Sequence, residues 1–143
     1  MRRIFLDANV IFTAAHNPVG KAALLIDLAA RLSWQIITSR LAEEEARRNL
    51  ENKYLQSLPR LATILSVMDI IPGGEGLKCP LDLPAKDRPI FEAALLSGST
   101  HLLTGDLKHF GPHMNRPEKT SGIVVQTVAD FFRDLTEKPQ AGG

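Results

Sequence analysis

Residues 100–106 read THLLTGD. A short apolar run stops at a glycine and an acid, the pattern of a buried strand whose carboxyl end carries a carboxylate, here Asp106. Near the amino terminus the same pattern recurs. RIFL (3–6) is a short buried strand ending at Asp7, within IFLDANV. The fold turns on whether these two acids, far apart in sequence, stand at one edge of one sheet.

Working outward, WQIIT (34–38), MDIIP (68–72) and GIVVQT (122–127) supply three further short strands. Asp7 is placed to cap a turn beginning at Ala8. Residues 18–32 carry apolar positions at helical spacing. Ser39 is an N-cap for the helix through LAEEEARRNL, acidic first and basic last as the helix dipole prefers. Residues 51–68 continue helically, with Pro59 marking a break or kink. GGEGLKCPLDLP is a loop, and PIFEAALLSG is a helix ending at Gly98. Residues 105–122 read as a long loop, and VADFFRDL is a last helix capped by Thr127.

Strands that are solidly apolar and alternate with helices require a sheet covered on both faces. The expected fold is therefore α/β, a three-layer sandwich around a central, mostly parallel five-stranded sheet. The expected organisation is one domain over residues 1–136 and a flexible tail at 137–143. Strand order is not readable from spacing. Sites in such open sheets form outside the carboxyl ends of the strands, which puts Asp7 and Asp106 on one rim.

The composition, 44% hydrophobic and 23% charged, sets aside disordered and fibrous classes. One cysteine, Cys79, excludes an intramolecular disulfide framework and offers no metal-ligand pattern. No apolar run reaches the roughly 18 residues of a membrane helix, so no membrane association is expected, and the expected location is cytoplasmic. The net charge of +1 conceals an asymmetry: gathering four of the 16 acids in one pocket leaves 17 bases against 12 acids elsewhere. An acidic hole in a basic surface suits a polyanion that must meet a bound cation.

Four carboxylates are candidates for that hole: Asp7, Glu45 in the EEE run, Asp87 in PAKDRPI, and Asp106. Each alone has a plain structural use, as a helix cap or a solvated first turn. Together on one rim they repel one another unless a cation neutralises them. Ligation by Asp and Glu oxygens points to Mg²⁺ or Mn²⁺ and away from zinc.

FLDANV, TSRLAEEEARRNL and PAKDRPIFEAALLSGSTHLLTGDLKHFG together resemble a PIN domain, the metal-dependent nuclease fold shared by VapC-like toxins and many ribonucleases. The last segment is the most specific of the three. The resemblance implies that Asp7, Glu45, Asp87 and Asp106 are the catalytic, metal-binding acids, with Glu43 and Glu44 as fallbacks for Glu45. It implies Asn9, Ser39 and Thr104 as supporting polar groups and one or two Mg²⁺ or Mn²⁺ ions. Many members carry a further acid two or three residues past the last Asp. Here Lys108 and His109 stand there, which weakens the expectation of a second ion.

The activity implied is endonucleolytic hydrolysis of RNA, in the manner of the toxin of a toxin–antitoxin pair. The implied partners are RNA, an antitoxin protein and a second copy in a homodimer. Arg40, Lys108 and His109 are candidate contacts to RNA phosphates; Trp34 and Phe110 are aromatic groups able to stack on bases, with core packing the expected role of Trp34 beside its apolar strand. The alternative is a non-catalytic PIN-like module that binds RNA or a protein. A HAD-type phosphatase would need a second Asp where Asn9 stands, and a P-loop enzyme would need a GxxxxGK[ST] that the chain lacks.

Overall fold

The strands are short and apolar, and their burial is nearly complete. Ile4, Phe5 and Leu6 of β1 (Arg3–Leu6) are fully buried, as are Leu102 and Leu103 of β4 (His101–Leu103). A strand buried on both faces cannot alternate polar with apolar, so it reads as a continuous hydrophobic run. The remaining strands are β2 (Gln35–Ser39), β3 (Asp69–Ile71) and β5 (Val124–Gln126). The computed structural model describes residues 1–73 and 79–137. Every strand pair is parallel, and the order across the sheet is β3-β2-β1-β4-β5.

Parallel neighbours need crossovers, and helices supply them. These are α1 (Ala8–His16), α2 (Lys21–Leu32), α3 (Arg40–Lys53), α4 (Leu58–Leu65), α5 (Arg88–Leu96), the single-turn α6 (Leu107–Phe110) and α7 (Val128–Glu137). α1 packs against α2, α3 and α4, while α5 lies against β2 and β4. The result is the three-layer α/β architecture expected, with a sheet parallel throughout. α7 extends to Glu137, one residue into the expected tail. Residues 138–143, and 74–78 of the expected GGEGLKCPLDLP loop, lie outside the described residues.

Three local readings change. A full helix, α1, follows Asp7 where a turn was expected. Its Val10, Ile11, Ala14 and Ala15 are buried, so apolar residues crowd the sequence and mask the helical period. Pro59 does not break a helix but starts one: α3 ends at Lys53, a 3-10 turn spans Leu55–Ser57, and Pro59 occupies the first turn of α4. Proline is tolerated there because the first-turn N–H groups have no intrahelical acceptor. The 105–122 segment also contains α6 and two 3-10 turns, Gly111–His113 and Pro117–Lys119.

Two expected caps are made. Ser39 Oγ accepts from the Ala42 N–H at 3.2 Å, and Thr127 Oγ1 accepts from the Asp130 N–H at 3.0 Å. Gly98 has φ +67, the left-handed conformation that closes a helix end without Cβ strain. Phe110 is completely buried, so it packs the core and is not available to stack on a base. Trp34 meets Phe131 edge to face at 5.3 Å, with Arg2 over its ring.

Candidate functional site

From β1 the chain builds outward to β2 and β3, and then β4 and β5 are laid down on the other side of β1. Helices after neighbouring strands therefore diverge between β1 and β4, opening a crevice at their carboxyl ends. Asp7 and Asp106 flank that crevice. Leu6 pairs with Leu103, and the Asp7 N–H continues the ladder to the Leu103 carbonyl at 3.0 Å. This register sets Asp7 beside Thr104.

Thr104 joins the two acids. Its buried Oγ1 donates to Asp7 Oδ2 at 2.8 Å and accepts from the Asp106 N–H at 3.1 Å. Asn9 crosses the same gap: Nδ2 lies 3.3 Å from both Asp7 Oδ2 and Thr104 Oγ1, and Oδ1 accepts from the Gly105 N–H at 2.6 Å. A Cβ on residue 105 would come within 3.3 Å of Asn9 Oδ1, so glycine suits this close approach.

Asp7 also caps α1, its Oδ1 accepting from the Ala8 N–H at 2.7 Å. Its carboxyl is nonetheless pushed up to about 6. Burial is the main cause, and the charges of Glu45 and Asp87 add to it against the lowering effect of the Thr104 and Ala8 hydrogen bonds. A buried carboxylate that costs free energy to ionise stores an affinity for positive charge.

Asp87 reaches the rim differently. A helix that returns the chain to the amino end of β4 must begin at the carboxyl edge, and Asp87 stands at the start of α5. It occupies the N-cap position without making the cap hydrogen bond. The side chain is instead turned inward, 12% exposed, and its Oδ2 makes no formed hydrogen bond. Burial pushes this carboxyl up as well; His109 and Lys86 oppose the shift and Asp106 adds to it.

Asp106 caps α6, its Oδ1 accepting from the His109 N–H at 3.1 Å. That single turn swings the imidazole back over the acids. His109 Nδ1 lies 2.8 Å from Asp106 Oδ2 and 3.1 Å from Asp87 Oδ2. Burial raises the Asp106 carboxyl, but the His109 N–H, the imidazole and Lys86 outweigh it and leave it below its ordinary range. One donor atom from each of Asp87, Asp106 and His109 falls within 4.8 Å of the others.

This trio fits a divalent cation. An octahedral ion with ligands at about 2.0–2.1 Å sets adjacent ligand atoms about 3 Å apart. The separations of 2.8 and 3.1 Å agree with that spacing. Asp87 Oδ2, buried and meeting only the imidazole at 3.1 Å without a formed hydrogen bond, points the same way, since a buried carboxylate oxygen lacking a donor is costly unless a ligand completes it.

No protein-family model matches the chain, and no curated protein matches it in sequence. Solved structures do match in shape. A chain of VapBC2 from Rickettsia felis, bound to a DNA fragment from its promoter, superposes with a TM-score of 0.62 at 17% identity, covering 87% of this chain and 98% of that one. A chain of VapBC-1 from nontypeable Haemophilus influenzae gives 0.58 at 16% identity, covering 89% and 98%. The chain has the PIN-domain fold.

On this PIN scaffold, the expected residues fall at different depths. Asp7, Asp87, Asp106, Asn9 and Thr104 gather around the crevice. Glu45 lies on the exposed side of α3, near enough for its charge to act on Asp7. Of its neighbours, Glu43 is bound by Arg47 at 2.7 Å, and Glu44 is exposed beside Arg40. Ser39 is occupied in capping α3. Arg40 and Lys108 are exposed. His109, expected only as a phosphate contact, turns its Nδ1 to two carboxylates. The one sequence signal for this was its place where many PIN domains carry a further acid.

Two clefts flank the cluster. One, about 410 Å³, is lined by Asn9, Thr13, Thr104, Gly105 and Val128. The other, about 400 Å³, is lined by Asp82, Pro84, Lys108, His109 and His113. Among the described residues, no helix is long and apolar enough to cross a membrane.

Proposed function

We propose that the chain is a divalent-metal-dependent endoribonuclease that hydrolyses phosphodiester bonds of single-stranded RNA, and that it is the toxin of a toxin–antitoxin pair. The observation that carries the reading is the convergence of Asp87, Asp106 and His109 beside buried Asp7, with Asp87 Oδ2 left unpartnered at the mouth of the crevice.

Asp87 and Asp106 would hold the ion, with Asp7 and Glu45 as further acids acting on the same crevice. A bound Mg²⁺ or Mn²⁺ supplies a water of lowered pKa and neutralises charge developing on the phosphoryl oxygens. The chain's own task is preorganisation. Thr104 and Asn9 fix the Asp7 carboxylate, and the α6 cap fixes Asp106, so little reorganisation is needed when substrate arrives. Exposed Lys86, Lys108 and Arg40 surround this acidic centre with positive charge suited to a phosphate backbone. The two flanking clefts give a single strand a path past the acids.

The similar structures are VapBC assemblies, which supports an antitoxin partner that covers the acidic crevice, and the PIN fold supports a homodimer. Labelled single-stranded RNA, incubated with wild type and Asp7→Asn with and without Mn²⁺ or Mg²⁺, tests the activity. Metal-dependent cleavage lost in the variant is expected. Absence of both cleavage and metal binding would leave a PIN-like binding module.

A further inference from the structure

We infer that His109 is itself a ligand to the divalent ion, through Nδ1, and that this nitrogen tilts the site toward first-row transition ions, Mn²⁺ included, over Mg²⁺. The inference rests on the metal-binding reading above and concerns which atoms and which ion satisfy it.

Geometry is the first ground. Nδ1 lies 2.8 Å from one carboxylate oxygen and 3.1 Å from another, contributed by residues on different elements. One imidazole nitrogen carries either one proton or one lone pair, so it serves one partner well. Asp106 Oδ2 takes the hydrogen bond, and Asp87 Oδ2 is left buried without one. The three donor atoms all lie within 4.8 Å of one another, close enough to share one ion.

Placement is the second ground. Asp106 and His109 are three residues apart, at the cap and within the turn of α6, and Asp106 Oδ1 binds the His109 backbone N–H. The same carboxylate thus fixes the turn that aims the ring. Ligation would require the proton to leave Nδ1 and the ring to keep Nε2–H, so that the Nδ1 lone pair serves the ion and the N–H faces the cleft shared with Asp82 and His113.

Chemistry gives the preference. Mg²⁺ favours oxygen ligands and retains its waters, whereas imidazole suits first-row transition ions. Where a further carboxylate would add charge without selectivity, His109 removes one negative charge and adds a nitrogen. The rival is a protonated imidazole that merely stands in for the cation and is displaced when the ion enters.

The test uses metal-free full-length protein, with no RNA. Mn²⁺ and Mg²⁺ affinities are measured by calorimetry for wild type, His109→Asp and His109→Gln, and Mn²⁺-loaded samples are examined by pulsed EPR for coupling to nitrogen. Wild type should show histidine nitrogen coupling that His109→Asp loses while still binding Mn²⁺. Mn²⁺ affinity should fall by about tenfold or more in that variant, and Mg²⁺ affinity by less, so that the preference for Mn²⁺ shrinks. Mn²⁺ bound to wild type without nitrogen coupling overturns the inference and leaves the metal reading intact. If wild type binds neither ion, the metal reading itself falls. The wild-type spectrum carries the test even if a variant does not fold.

Discussion

Thr104 Oγ1 donates to Asp7 Oδ2 at 2.8 Å and, through the same oxygen, receives the Asp106 N–H at 3.1 Å. One hydroxyl, fully buried, therefore couples the acid after β1 to the acid after β4. The Asp7 carboxylate is thereby tied to the backbone from which the Asp106 side chain departs.

Thr104→Val keeps the shape and removes both bonds. It should destabilise the fold by about 1–3 kcal/mol, the cost of leaving buried polar groups unpaired. Thr104→Ser should stay close to wild type. Urea unfolding in chelator reads the difference, and an unaltered midpoint for Thr104→Val would contradict the coupling.

Asp7 should make the metal-free protein less stable as pH rises. Its carboxyl, pushed up to about 6, keeps its proton in the native state where the unfolded chain has lost it. The penalty grows from about pH 4 through about pH 6 and reaches about 3 kcal/mol above that. His101 acts in the opposite direction over the same range. Burial, helped by Arg2, pulls its imidazole down to about 4, so its contribution is lost as pH falls from 6.5 through 4. The wild-type profile should consequently be shallow. Asp7→Asn should be more stable than wild type at pH 7.5 in chelator, by about 1–3 kcal/mol, and close to it near pH 4. Equal unfolding midpoints at pH 7.5 would count against a buried, costly Asp7.

Added Mn²⁺ should restore what the acids cost. At about 100 times its dissociation constant, a native-state ligand contributes about 2.7 kcal/mol, on the order of 10 °C in Tm for a domain of this size. Asp87→Asn and Asp106→Asn should each abolish most of that rise. Scanning calorimetry with and without Mn²⁺ measures it, and a full rise in both variants would place the ion elsewhere.

The three glutamates of α3 should separate sharply. Glu45→Gln is expected to weaken metal binding and RNA cleavage by about tenfold or more. Glu43→Gln, which only loses the Arg47 pair, and Glu44→Gln should remain near wild type. Parallel cleavage assays decide it, and a dominant loss in Glu44→Gln would move the functional glutamate by one residue.

Much of the fold is legible in the order of residues alone. β1 and β4 are apolar runs that stop abruptly at acids, because strands buried on both faces cannot tolerate polar alternation. Ser39 and Thr127 mark their helices by local hydrogen-bond chemistry, which acts within three residues and needs no tertiary partner. α1 is hidden because burial around Val10, Ile11, Ala14 and Ala15 erases the polar stripe that gives a helix its period. α6 is hidden because it is a single turn between glycines and a proline, held by the Asp106 cap.

By itself, the sequence determined the five strands, the helices other than α1 and α6, and the acids that end β1 and β4, since period, capping and burial are properties of neighbouring residues. Only the tertiary structure decided the strand order, which opens the crevice between β1 and β4 and brings Thr104 against Asp7. It also decided that Asp87 forgoes its cap and turns Oδ2 to the His109 imidazole at 3.1 Å, without a formed hydrogen bond. Those outcomes depend on side chains brought together from distant segments, and no local preference encodes a distance across a sheet edge.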